Sequence, residues 1–309
     1  MATVFIGTSQ FAAAVLERLA AAGHRPALVI TRPDKPAGRG RRLRPPPVSA
    51  CARTLGLPLE QPPDVNAPES LALIAGALQG AEDPPGRPVV VVCAFGALVK
   101  EPLLSAQEIL NVHPSLLPRW RGAAPIERAI MAGDERTGVS IMRLTAGLDS
   151  GPVCLAGEEP IGQGDDYGSL AGRLQELGAR LLLGALEQDP PCSEQPEQGV
   201  TYADKIGPSD RTLDPARPAV ELERAVRALH PHIGARVELE DGTLLGVRRA
   251  ALPQDAPTAD GQAGVFAREG RLLLACSPGL LELLEVQPPG ARPMETRAYL
   301  RGHAAPGRR

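Results

Sequence analysis

The sequence predicts a doubly wound α/β sheet followed by a smaller all-β domain, and three observations lead there. Short apolar runs alternate with helix-length amphipathic stretches from Thr3 to Leu186. Val89-Val90-Val91-Val92-Cys93 is apolar at every position, the pattern of a strand covered on both faces. From Asp189 the composition turns to Pro, Ser and Gly, then to short strand candidates separated by turn residues. A length of 309 residues suits about two domains, and a hydrophobic content of 43% is enough for two cores.

Taken in order, Thr3–Ile6 reads as a strand, Gly7-Thr8-Ser9 as a turn, and Phe11–Ala22 as a helix stopped by Gly23. Ala27–Thr31 is the next strand, completing a βαβ opening. The turn has one glycine where the dinucleotide fingerprint needs three, so a nicotinamide or flavin enzyme is unsupported. Arg32–Pro47 carries Arg32, Lys35, Arg39, Arg41, Arg42 and Arg44 against only Asp34. Rich in Pro and Gly, it is expected to be a long mobile surface loop whose arginines suit phosphate contacts. A solvated linker that happens to be basic remains the plain alternative.

Val48–Gly56 and Ala67–Leu78 read as helices, and Val89–Cys93 ends in the small-residue turn Ala94-Phe95-Gly96-Ala97. Ile109–His113 is a strand, Ala123–Met131 a helix, Val139–Leu144 and Val153–Leu155 strands, and Asp166–Leu186 a long helix. The expected division is a first domain over 1–189, a linker over 190–207 and a second domain over 208–309. In the second domain a helix near Val220–Leu229 precedes strands at Arg236–Leu239, Leu244–Arg248, Gly264–Ala267, Arg271–Ala275 and Leu280–Glu285. Five short strands with turns such as Glu240-Asp-Gly242 make an OB-like barrel the leading candidate.

A formal net charge of −3 argues against indiscriminate coating of nucleic acid, without excluding a local basic patch. Cys51, Cys93, Cys154, Cys192 and Cys276 are scattered and form no CxxC. They are expected to be reduced thiols, with neither a disulfide framework nor structural zinc. No run of about 18 apolar residues and no signal peptide occurs, so a soluble intracellular protein without membrane contact is expected.

The chemistry concentrates at Asn111-Val-His-Pro-Ser-Leu-Leu-Pro-Arg-Trp-Arg-Gly122. Strand alternation places Asn111 and His113 on one face, and Pro114 ends the strand directly after them. Such a pair projects from the carboxyl end of a strand, where open α/β sheets hold ligands. An amide donor beside an imidazole can hold and protonate an oxyanion; spacing alone equally allows a histidine that merely caps the strand. Asp149, in Gly-Leu-Asp-Ser-Gly, could likewise be a turn residue. Ser115 is not in a GxSxG elbow, so a serine hydrolase is unsupported, and His230-Pro-His232 lacks a nearby third ligand and reads as structural, so no metal site is expected.

His113-Pro-Ser-Leu-Leu-Pro with Gly122, Asn111 two before it, and Asp149 in its glycine-flanked loop resembles the 10-formyltetrahydrofolate-dependent formyltransferases. Arg32–Gly40, the longer run Asn111–Gly133 and Thr201-Tyr-Ala-Asp-Lys205 are similar to the members that act on charged initiator tRNA. That resemblance implies a Rossmann-like catalytic domain, an OB-like second domain, and Asn111, His113 and Asp149 as the catalytic trio. It implies a folate site at Cys93, Ala94, Phe95, Gly96, Ser115, Leu116, Leu117, Pro118, Gly147 and Leu148. Contacts with tRNA fall on Arg39, Arg41, Arg42, Arg119 and Arg121. The formyl donor would be 10-formyltetrahydrofolate, the acceptor methionine on initiator tRNA, and the enzyme a cytoplasmic monomer without metal. Alternatives are formylation of an amino-sugar nucleotide, hydrolysis of the donor, or an RNA-binding module with a relic site.

Overall fold

The computed structural model describes residues 2–37, 42–79, 87–253, 255 and 264–303, with the side chains of residues 37 and 42 outside that description. The chain runs β1 (Thr3–Gly7), α1 (Gln10–Ala21), β2 (Leu28–Ile30), β3 (Lys35–Ala37), β4 (Arg42–Arg44), α2 (Pro47–Thr54), β5 (Leu59–Glu60), α3 (Pro68–Gln79), β6 (Val89–Cys93), α4 (Leu103–Ala106) and β7 (Ile109–His113). It continues with β8 (Arg121–Gly122), α5 (Pro125–Ala132), β9 (Arg136–Arg143), β10 (Val153–Pro160), α6 (Tyr167–Gln188) and β11 (Tyr202–Ala203). Next come α7 (Pro208–Arg211), α8 (Ala219–Leu229), β12 (Ala235–Glu238) and β13 (Leu244–Ala251). The last elements are β14 (Val265–Arg268), β15 (Arg271–Ala275), β16 (Leu280–Gln287), β17 (Met294–Glu295) and α9 (Thr296–Gly302).

Seven strands form one sheet in the order β10-β9-β7-β6-β1-β2-β5. β5, β2, β1, β6 and β7 run parallel, and β9 returns antiparallel to β7. β1 has β2 on one side and β6 on the other, so the strand order reverses there. In doubly wound sheets that reversal opens a crevice at the carboxyl ends of the strands. Ser9 caps α1, its Oγ accepting from Ala12 N–H at 3.3 Å. Val4, Ile6, Ile30, Val90 and Val92 pack against Ile74 and Leu78 of α3 and Leu103 of α4, so all but the strand ends are dry.

The chain separates into two compact units: 1–123, 137–160 and 171–203 in one, 124–136, 161–170 and 204–309 in the other. Ala124–Arg136 thus groups with the C-terminal residues, because α5 packs along α8. The C-terminal sheet is antiparallel, ordered β12-β13-β16-β15-β14 with β17 beside β16. Leu222, Val226 and Leu229 of α8 fill its concave face against Val247, Leu272, Leu274, Leu281 and Leu283. A register shift around Arg249 bends β13 against β16, as bulges do. Among the described residues no pairing closes β12 onto β14, so the OB-like domain is an antiparallel half-barrel. No helix among the described residues is long and apolar enough to cross a membrane.

Two expectations are corrected. The basic segment is not a featureless loop, since β3 and β4 pair antiparallel within it, Lys35 opposite Arg44 and Pro36 opposite Leu43. A two-stranded ladder needs backbone groups and no apolar face, and proline is tolerated where the strand has a free edge. Nor are all five cysteines thiols: Cys154 and Cys192 form a disulfide, leaving Cys51, Cys93 and Cys276 free. The antiparallel bridge between Val153 and Ser193 sets these two cysteines opposite each other, a register that sequence spacing does not reveal.

Candidate active site

Asn111 and His113 lie on β7, between β6 and β9, and are 8% and 4% exposed. Their burial on a central strand fixes both side chains by packing, with little freedom to wander. His113 Nε2 lies 2.9 Å from the carbonyl oxygen of Trp120. A carbonyl only accepts, so Nε2 carries a proton and Nδ1 is the nitrogen left to gain or lose one. That Nδ1 lies 3.6 Å from Asp149 Oδ2, an ion-pair distance rather than a hydrogen bond. The Asp149 carboxylate in turn accepts the Gly122 N–H at 2.8 Å.

Strands and tight turns together make this arrangement. β8 pairs in parallel with β11, and at Gly122 (φ +123°) a Cβ would meet the Ala203 carbonyl oxygen at 2.8 Å. Only glycine lets the chain pass there and aim its N–H at Asp149. A Cβ at Gly151 would meet Arg143 O at 2.0 Å, so the Asp149 loop closes tightly between β9 and β10. Trp120 (φ +62°) and Asp149 (φ +43°) both adopt the left-handed region that L residues avoid. Backbone of this kind gathers where surroundings force it, often at functional sites.

The residues expected to hold folate fall into distinct surroundings. Ala94, Phe95 and Gly96 leave β6 at the switch point and line a cavity of about 390 Å³ with Thr8, Ser9, Arg32, Lys35 and Arg44. Arg32 Nη1 donates to Gly96 O at 2.7 Å, tying the basic segment to this turn. Cys93 is fully buried, and burial pushes its thiol far above the ordinary range. Ser115 is also fully buried; its Oγ donates to Arg119 O at 2.6 Å and its carbonyl accepts from Ser140 Oγ at 2.8 Å. Leu116, Leu117 and Pro118 are half-buried, while Gly147 and Leu148 are exposed.

Of the cations expected to meet tRNA, Arg39 and Arg41 lie outside the described residues, and Arg42 is placed by its backbone in β4. Arg119 stacks on Trp120, 4.4 Å from the ring centre. Arg121 donates from Nε and Nη2 to Gln195 Oε1 at 3.0 and 2.7 Å. Sequence reasoning missed Gln195, and also Thr8, Ser9, Arg32, Lys35 and Arg44 as cavity walls. Only the strand-end position of Thr8 and Ser9 could have signalled them. A second cavity of about 410 Å³ lies at the opposite ends of β6 and β7, beside the disulfide. Its charges pair internally, Arg143 with Glu108 at 3.2 Å and Arg87 with Asp189 at 3.3 Å, and no member of the trio lines either cavity.

Buried amide, oriented imidazole and carboxylate together can stabilise an oxygen that gains negative charge and move a proton beside it. Residues 1–186 match the family described as formyl transferase, and residues 205–304 match the formyl transferase C-terminal domain. The chain is 44% identical over 310 residues to a methionyl-tRNA formyltransferase of Cereibacter sphaeroides, covering 99% of this chain and 97% of the relative. In fold it resembles a Helicobacter canadensis N-formyltransferase solved with folinic acid and dTDP-3-aminofucose, with TM-score 0.65, 14% identity, and 95% and 100% of the two chains covered. It also resembles HypX from Aquifex aeolicus in complex with tetrahydrofolic acid, with TM-score 0.63 and 15% identity. That match covers 97% of this chain but only 47% of HypX, so the chain spans about half its length. This chain belongs to the formyl transferase family.

Proposed function

We propose that the chain transfers the formyl group of 10-formyltetrahydrofolate to the amino group of methionine on charged initiator tRNA. The observation that carries the chemistry is the His113 ring clamped between Trp120 O and Asp149, with Asn111 on the same strand face. The full-length likeness to the Cereibacter relative supports the acceptor. When bound, the folate supplies a formyl carbon activated by its N10. The Asn111 amide donates to the formyl oxygen as negative charge develops there. His113 Nδ1 takes the proton lost by the attacking amine and returns it to the departing nitrogen, with the Asp149 carboxylate facing that nitrogen at 3.6 Å.

The 390 Å³ cavity suits the folate: backbone groups of Ala94–Gly96 can meet a flat heterocycle's edge, and Arg32, Lys35 and Arg44 can meet carboxylates. The other expected folate contacts are Cys93, Ser115, Leu116, Leu117, Pro118, Gly147 and Leu148. Ser115 acts there by shaping the loop, since its hydroxyl is engaged with Arg119 O. Arg39, Arg41, Arg42, Arg119 and Arg121 are the proposed phosphate contacts. The family boundaries at 186 and 205 support a division into domains 1–189 and 208–309 with a linker between. We place the enzyme in the cytoplasm as a monomer, needing no metal.

The test supplies donor labelled in its formyl group with methionine-charged initiator tRNA and follows the label. Release of labelled formylmethionine on mild base treatment of the tRNA is the expected result. Label found only in free formate would replace transfer with hydrolysis.

A further inference from the structure

The linker of residues 190–207 has no part in the chemistry above, yet its side chains reach into the site. Gln195 Nε2 donates to Asp149 O and to Gly151 O, each at 2.8 Å. Its Oε1 accepts from Arg121, whose strand β8 carries the Gly122 N–H on Asp149. Thr201 Oγ1 accepts the Trp120 N–H at 2.9 Å, and Thr201 O accepts the Arg121 N–H at 2.9 Å. The Cys154–Cys192 disulfide anchors one end of this segment, and the β8–β11 ladder anchors the other.

The two residues held in this way are the two left-handed ones in contact with His113. Asp149 (φ +43°) offers its carboxylate to Nδ1, and Trp120 (φ +62°) offers its carbonyl to Nε2–H. Such backbone persists only where its neighbours over-determine it. Gln195 bonds the carbonyl of one and Thr201 the amide of the other, so each is pinned by a linker side chain.

We propose that the linker segment from Ser193 to Ala203 is a positioning element of the formyl-transfer site, with Gln195 setting Asp149 and Thr201 setting Trp120 around the His113 ring. The proposal rests on the formyl-transfer reading. Neither residue does chemistry; each acts through the residue it holds. The linker therefore ties the order of the site to the chain that joins the two family regions.

Four variants test this in the full chain: Gln195→Ala, Gln195→Glu, Thr201→Val and Thr201→Ser. Gln195→Glu keeps an acceptor for Arg121 but cannot donate to Asp149 O and Gly151 O. Thr201→Val keeps shape without the acceptor, and Thr201→Ser restores it. Formyl transfer to charged tRNA is measured as kcat and KM, with thermal melting alongside. Gln195→Ala, Gln195→Glu and Thr201→Val are expected to lose about ten- to a hundredfold in kcat, the scale of one or two neutral hydrogen bonds. KM for charged tRNA should stay within about twofold, and Thr201→Ser should recover most of the activity.

Wild-type kcat in Gln195→Glu, or a loss confined to KM, would overturn the proposal, because Gln195 would then serve only Arg121. Equal kcat in Thr201→Val and Thr201→Ser would overturn the half that concerns Trp120. If Gln195→Ala does not fold, Gln195→Glu and the threonine pair decide. Absence of transfer by the wild-type protein would instead defeat the proposed function itself.

Discussion

Asp149→Asn removes one charge from the centre of the site with almost no change of shape. In the wild type the carboxylate faces His113 Nδ1 at 3.6 Å, and its side chain is only 14% exposed. Opposite unit charges at that separation attract by roughly 4–5 kcal/mol at an effective dielectric near 20. An asparagine keeps the Gly122 N–H through its amide oxygen and retains a dipole, so part of that attraction survives. The expected loss is about 3 kcal/mol of transition-state stabilisation, or roughly a hundredfold in kcat. The assay is steady-state formyl transfer to charged tRNA, with a melting curve to show that the fold is intact. Turnover within about threefold of wild type would reduce Asp149 to a turn residue.

Asn111→Ala and His113→Ala should each cost about 3–4 kcal/mol, mainly in kcat, the scale of removing an oxyanion donor. Normal turnover in purified His113→Ala would remove the histidine from the mechanism. Gly122→Ala forces a Cβ against Ala203 O at 2.8 Å, so it should lower both kcat and melting temperature, and an unaffected enzyme would show that β8 can yield. Replacing Arg39, Arg41 and Arg42 together by alanine should weaken use of charged tRNA. It should also flatten the salt dependence of binding, by about one power of salt concentration for each phosphate that is no longer neutralised. An unaltered slope would make β3–β4 a hairpin without that role. Asp210, hydrogen-bonded and paired with Arg128 at 2.8 Å, is held below the ordinary carboxyl value of 3.8. A lowered folded value stabilises above the unfolded one and is lost as pH falls through it, so Asp210→Asn should flatten the decline in stability below pH 3.8.

Much of the fold was legible because burial on both faces writes itself into sequence. β6 falls at the expected Val89–Cys93, apolar at every position, and β7 at the expected Ile109–His113, where Pro114 ends the strand. The C-terminal strands followed from alternation and turn residues, within a few residues at each end. Asn111, His113 and Asp149 could be named as candidates, and the structure brings His113 and Asp149 together, but that geometry was not legible. The carbonyl that fixes the His113 tautomer belongs to Trp120, whose left-handed backbone no spacing rule foretells. β8 and β11 are two residues each, too short for any periodicity. Gln195 meets Asp149 across 46 residues of chain, a pairing that exists only once both are folded. The Cys154–Cys192 pairing and the β3–β4 hairpin were missed for the same reason, since both come from backbone register and not from apolar pattern.

Competition between acceptors separates formylation of charged tRNA from formylation of a sugar amine. Purified protein receives limiting donor labelled in its formyl group, with equal amounts of methionine-charged initiator tRNA and an amino-sugar nucleotide in one vessel. Nearly all the label is expected on the methionine of the tRNA, and His113→Ala should suppress it. Label on the sugar amine, or shared equally between the two, would mean that charged initiator tRNA is not the preferred acceptor.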